Sequence, residues 1–162
     1  MKRRLAIQVG AVAALAVFQM STAPFLVATS AQDTQASGLD LGFRQNGNKK
    51  YRIVIQVSDN DPAKWNLALN NARNLQDDVG AAHVDIEIVA YGPGIGMLKL
   101  DSTAATRINE AIKANVKVIA CENTLRAQKL TRDDMLPALS YVPAGVTEIM
   151  TKQSEGWAYL RP

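Results

Sequence analysis

Cys121 is the only cysteine of this 162-residue chain, and His83 the only histidine. The cysteine closes an apolar run, Val116-Lys117-Val118-Ile119-Ala120, which reads as a buried parallel strand. The residues after it, Glu122-Asn123-Thr124-Leu125-Arg126, read as a turn opening into a helix. That context sets one thiol at the carboxyl end of a strand and beside a helix N-terminus. Open α/β sheets bind ligands at that edge, and the partial positive charge of a helix start favours a thiolate. The competing reading is a small buried hydrophobe, which is what most free cysteines are.

The chemistry open to such a thiol depends on its neighbours. His83 falls between the first helix and the second strand, at the opposite edge of the sheet and a strand length of roughly 20 Å away. A cysteine–histidine dyad within one subunit is therefore not expected, which argues against protease-like or acyl-transfer chemistry. Arg126 or Lys129 would assist ionisation by folding back, whereas Glu122 opposes it. Without a general base, the thiol suits sulfur exchange, which needs only an attackable thiolate. No set of His, Cys, Asp and Glu has metal-ligand spacing, so no metal is expected, and no other cofactor is implied. The stretch Gly92-Pro93-Gly94-Ile95-Gly96 lacks the Gly-Lys-Ser/Thr ending of a phosphate loop. It also follows the second strand rather than the first, so it reads as a tight loop and not as a dinucleotide site.

The elements that must position these residues follow from periodicity. Tyr51-Arg52-Ile53-Val54-Ile55-Gln56-Val57 is a β-branched first strand, and Ser58-Asp59-Asn60-Asp61 with Pro62 supplies the cap and first turn of a helix. Trp65, Leu69, Ala72, Leu75 or Gln76, and Val79 recur at steps of three and four, and Gly80 ends that helix. Residues 84–90 alternate Val84, Ile86, Ile88 with Asp85 and Glu87, which predicts a strand with one partly solvated face, nearer a sheet edge than the others. A glycine-rich loop over 91–97, a second helix over 103–115 and the strand before Cys121 come next. A short helix follows over 123–128, then a capped turn at Thr131-Arg132-Asp133-Asp134, a short strand over 140–143, and a helix over 146–155. For Trp157-Ala158-Tyr159-Leu160, strand and helix both remain open. Alternating strands and helices predict parallel strands joined by right-handed crossovers. The loops at 58–60, 91–96 and 121–124 then share one sheet edge, where a pocket is expected.

Charge and the N-terminus bound the function class. Met1-Lys2-Arg3-Arg4 precedes an uncharged apolar stretch, and Thr29-Ser30-Ala31 offers small residues before a cut at Gln32. Residues 1–31 therefore read as a signal peptide and 32–50 as a polar, flexible linker. The alternative is an uncleaved anchor, because Phe25-Leu26-Val27-Ala28 extends the apolar stretch towards the about 20 residues a bilayer needs. The whole chain holds 18 basic and 15 acidic residues. Without Lys2, Arg3 and Arg4 the two signs balance, so the basic character belongs to the leader and nucleic-acid binding is not expected. After cleavage no membrane span remains, and about 131 residues suffice for one domain with its own core. One cysteine forms no intramolecular disulfide, and in the bacterial periplasm a lone thiol is open to oxidation.

Several stretches together resemble the DsrE/DsrF-like (sulfur-relay) family. They are the strand leading into Ser58-Asp59-Asn60, the strand ending Ala90-Tyr91-Gly92-Pro93-Gly94, and the strand ending Ala120-Cys121. The closing segment Val142-Pro143-Ala144-Gly145-Val146-Thr147-Glu148-Ile149, with Gln153 and Gly156-Trp157-Ala158-Tyr159-Leu160, matches as well. The likeness spans residues 51–162. It implies a single-domain α/β parallel-sheet sandwich of four to five strands with helices on both faces. It also implies assembly into homo-oligomers (dimers, trimers or hexamers). In relay members a cysteine at this strand end carries sulfur as a persulfide, a role that maps onto Cys121. Asn123 and Thr124 amides would then steady the anion, and Asn60, Tyr91, Gly92 and Gly94 would shape the pocket. The partner would be a small sulfur-containing donor or a thiol protein. Those relay members are cytoplasmic, so an exported chain needs a different acceptor. This reading requires the Cys121 sulfur to be reachable from a cleft. The rival reading is a non-catalytic exported oligomeric binding or assembly module, with Cys121 structural and Trp157 and Tyr159 on an oligomer surface.

Overall fold

The computed structural model describes residues 50–162. The expected signal peptide and all of the expected linker except Lys50 lie outside the described residues. The elements in chain order are β1 (Tyr51–Val57), α1 (Pro62–Val79), β2 (Val84–Ala90), a 3-10 helix (Gly92–Leu98) and α2 (Ala105–Lys113). They continue with β3 (Val116–Cys121), α3 (Glu122–Ala127), β4 (Ser140–Val142), α4 (Gly145–Ser154) and β5 (Ala158–Leu160). The start of α1 is set as expected: the Asp61 side chain accepts from the Ala63 amide at 2.8 Å and Pro62 opens the first turn. Gly80, at φ +87°, ends it with its amide on the Gln76 carbonyl.

The five strands form one all-parallel sheet in the order β4-β3-β2-β1-β5. That order dictates where the helices go. From β1 through β4 the chain steps in one direction, so right-handed crossovers put α1, α2 and α3 on the same face. From β4 it must return past β1 to reach β5, which reverses direction and sends α4 to the other face. The cores follow suit. Trp65, Leu69, Ile108 and Leu125 pack with Ile55, Ile86, Ile88 and Val118 on the first face. Ile149 of α4 packs with Val54, Val89 and Ile119 on the second, flanked by Tyr91, Val142 and Trp157. The fold is thus an α/β sandwich with a thick layer on one face and a single helix on the other.

Two expectations change. β2 is the central strand and not near an edge. Its alternation records the thin second layer: Glu87 is 4 % exposed beneath α4, with Lys117 Nζ at 3.0 Å and Lys152 Nζ at 3.8 Å. Asp85 pairs with Lys50 at 2.7 Å. A buried carboxylate persists where cations meet it, so polar alternation marks a face and not a border. The glycine-rich stretch is also more regular than a loop, since residues 92–98 wind as a 3-10 helix. The tail over 157–160, left open by its sequence, becomes β5 on the outer side of β1, with Ile53 opposite Ala158 and Ile55 opposite Leu160. Among the described residues no helix is long and apolar enough to cross a membrane.

Candidate functional site

Cys121 is the last residue of β3, on the same side as Ile119 and paired in register with Val142. Its side chain therefore points to the α4 face. The thiol sits in a cradle of donors. Burial pushes its pKa up, but the Thr124 hydroxyl, followed by the amides of Gly145, Thr124 and Asn123, outweighs burial and leaves the thiol below its ordinary value. No charged side chain enters that balance. Arg126 is bonded to the Asn123 side-chain oxygen, Lys129 is exposed and Glu122 is bonded to Arg132, so neither of the expected helpers nor the expected opponent is among the groups that set the thiol pKa. Hydrogen bonds, not charges, acidify this thiol.

The Thr124 hydroxyl is itself held. It accepts the Gly92 amide at 2.9 Å, and the Gly92 carbonyl accepts Gln128 Nε2 at 3.0 Å. An accepted bond at Oγ1 fixes that oxygen and directs its proton to the sulfur. Gly92 reaches this position at φ +53°, a conformation side chains rarely adopt. Its neighbour Gly94 is buried against the end of β1: an added Cβ would lie 2.3 Å from the Val57 carbonyl oxygen. The turn is also tied to β1 through the Tyr91 amide, which donates to that same carbonyl at 3.1 Å.

Gly145 closes the site from above. A Cβ there would approach Tyr91 Cβ to 3.1 Å, Val89 Cγ1 to 3.2 Å and Cys121 Cβ to 3.3 Å. Glycine thus lets the N-terminus of α4 rest directly on Cys121, where its amide is one of the groups that favour the ionised thiol. The consequence is burial. Cys121 is only 4 % exposed, so the cleft expected at this sulfur is filled by the start of α4. The wall is polar on the side of Thr124 and Gly145 and apolar on the side of Tyr91 and Val89.

Of the residues singled out in the sequence, Tyr91, Gly92, Asn123 and Thr124 surround Cys121, and Gly94 anchors the turn that carries two of them. The Asn123 amide bonds the Pro143 carbonyl at 3.0 Å, which makes its pull on the sulfur secondary. Asn60 is not at the thiol. It borders a separate cavity beside α1, across the 92–98 helix. Two contributions emerge only in the fold: Gly145 acts once α4 has crossed the second face, and the Thr124 hydroxyl once the Gly92 turn is brought beside it. The sequence signal for Gly145 was a glycine one step before an amphipathic helix. His83 is exposed before β2, its Nδ1 3.1 Å from the Val79 carbonyl. Among the described residues no three His, Cys, Asp or Glu side chains are grouped to hold a metal ion.

Comparison with known proteins agrees with this architecture. A model of the DsrE/DsrF-like family matches residues 49–162. The solved structure of the protein MTH1491 from Methanobacterium thermoautotrophicum is 39 % identical, with a TM-score of 0.67 over 70 % of this chain and 100 % of that one. BT1422 from Bacteroides thetaiotaomicron shares the fold at 13 % identity and a TM-score of 0.56, over 68 % of this chain and 94 % of its own. The YchN protein of E. coli does so at 12 % identity and a TM-score of 0.53, over 70 % of this chain and 99 % of its own. No curated protein matches the chain.

Proposed function

The chain belongs to the DsrE/DsrF-like family, and from that membership and the cradle around Cys121 we propose that it is an exported sulfur carrier. The observation that carries the reading is a buried thiol whose pKa is nonetheless lowered by converging donors. A cysteine that only fills space needs no such donors. A thiol whose ionised form is favoured by several hydrogen-bond donors is suited to act as a nucleophile.

The chemistry is exchange without net oxidation. The Cys121 thiolate attacks the outer sulfur of a donor persulfide or polysulfide; a new S–S bond forms, the donor's S–S bond breaks, and the donor thiolate leaves with the electron pair. With thiosulfate the leaving group is sulfite. The Cys121 persulfide then yields its outer sulfur to an acceptor thiolate, which restores the Cys121 thiolate. The Thr124 hydroxyl and the Gly145 amide steady the negative charge at each stage. Because the sulfur is covered, exchange requires the start of α4 or the Tyr91 side chain to give way. The expected export signal sets this chemistry outside the cytoplasm, with a small donor or thiol protein as partner and a homo-oligomer as the working form.

A second reading, a non-catalytic assembly module, is favoured by the 4 % exposure of Cys121 together with Val146 and Met150, 63 % and 60 % exposed one helical turn apart on α4. Intact mass after treatment with thiosulfate or inorganic polysulfide separates the two. A gain of one sulfur in the wild type, absent from Cys121→Ser, supports the carrier. A folded protein inert to both donors and to a small alkylating agent supports the module.

A further inference from the structure

Across the 92–98 helix from the thiol lies a cavity of about 550 Å³ that the sulfur chemistry leaves unused. Its apolar wall is the Trp65 indole with the rings of Pro62 and Pro93. The indole is fixed, because Nε1 donates to the Asp59 carbonyl at 2.7 Å. Its floor depends on Gly96, where a Cβ would lie 2.8 Å from Asn60 Oδ1 and 3.5 Å from the Trp65 ring. Glycine there keeps the space open. Gln128 forms the side nearest the thiol, reaching over to the Gly92 carbonyl.

The polar rim holds one charge of each sign. Lys99 Nζ and Asp101 Oδ1 stand 3.5 Å apart, both solvent-accessible. An exposed pair of this kind contributes little to stability, so opening it costs little. A purely anionic ligand would confront Asp101 and a purely cationic one Lys99. A ligand bearing both charges side by side replaces one weak ion pair with two and leaves neither residue unmatched. Ser102 adds a donor, since its Oγ accepts the Ala104 amide at 3.1 Å and its proton is left for a ligand. An α-amino acid holds ammonium and carboxylate within about 3 Å of each other on one carbon, and its side chain would lie against the indole and prolines.

We infer that this cavity is a binding site for a free α-amino acid, with its carboxylate on Lys99 and Ser102, its ammonium on Asp101 and its side chain on Trp65. The site is independent of sulfur transfer, and Cys121→Ser is expected to bind the same ligand as the wild type. A failure of the persulfide experiment therefore leaves it standing, and the reverse holds too.

The test is a titration of 15N-labelled protein with the proteinogenic amino acids, one at a time at millimolar concentration, followed at the Trp65 indole N–H resonance. At least one amino acid should move that resonance saturably. Its N-acetyl derivative and its amino alcohol, each lacking one charge, should bind about tenfold more weakly or worse. Lys99→Ala, at a half-buried position, and Asp101→Ala, at an exposed one, should keep the native spectrum elsewhere and lose a similar factor. No amino acid moving Trp65 would overturn the assignment, as would analogues or variants that bind with unchanged affinity.

Discussion

At the scale of single residues, the chemistry hangs on one hydroxyl. Thr124 accepts from Gly92 and donates to Cys121, so it transmits the shape of the glycine turn to the sulfur. Thr124→Val should raise the thiol pKa, because burial then acts with less opposition. It should also cost about 1–2 kcal/mol by stranding the Gly92 amide. The rate of alkylation against pH reads the first effect: the wild-type profile should rise at lower pH than that of Thr124→Val, with Thr124→Ser close to wild type. The sign of the stability linkage is fixed as well. A thiol pKa lowered by folding contributes stability that is present above the ordinary thiol value and lost as pH falls through the folded value. Wild type should therefore gain on Cys121→Ala in that alkaline window, measured by urea unfolding at several pH values. The strand-end cysteine and the turn glycines were legible in the sequence because an apolar run and a glycine pattern are local signals. The hydroxyl's role was not, since its donor partner, the Gly92 amide, lies 32 residues away on an element that meets it only in the fold.

At the scale of elements, α4 decides both access and rigidity. Its N-terminus rests on the thiol through Gly145, and its C-terminal half is held by Lys152. Burial pulls the Lys152 pKa down, but Glu87, Glu155 and Glu148 more than reverse it and raise it above the usual lysine value. Lys152 Nζ also stands 4.9 Å from the centre of the Trp157 ring. Gly145→Val should lift the helix start off Tyr91 and Cys121, costing about 1–3 kcal/mol by overpacking. Its Cys121 should react faster with a small alkylating agent; an unchanged rate in the folded variant would show that α4 is not the barrier. Glu87→Gln should destabilise by about 1–3 kcal/mol, less than a fully enclosed pair because Lys117 is half-exposed and Lys152 keeps two other carboxylates. Thermal unfolding checks that value. The succession of strands and helices was readable from periodicity, but the place of β2 was not. Asp85 and Glu87 look like a solvated face in sequence; Asp85 stays half-exposed, and only the return crossing of α4 shows that Glu87 is covered and met by lysines.

At the scale of the whole molecule, the faces taken by the helices follow from strand order and crossover handedness once β5 is known to sit beyond β1. The sequence left residues 157–160 open because three strand residues at a sheet edge carry too short a pattern to distinguish from a helix turn. The proposed export and assembly are tested on the intact protein. The mature form recovered from the periplasm of an expressing cell should begin at Gln32, as read by N-terminal sequencing; a retained leader in the membrane fraction would favour the anchor. For the central claim, the most direct measurement is intact mass and peptide mapping of the purified protein after thiosulfate or inorganic polysulfide. A carrier shows one added sulfur confined to the peptide containing Cys121, removed by a thiol acceptor and missing in Cys121→Ser. A folded wild type with unchanged mass under both donors contradicts it.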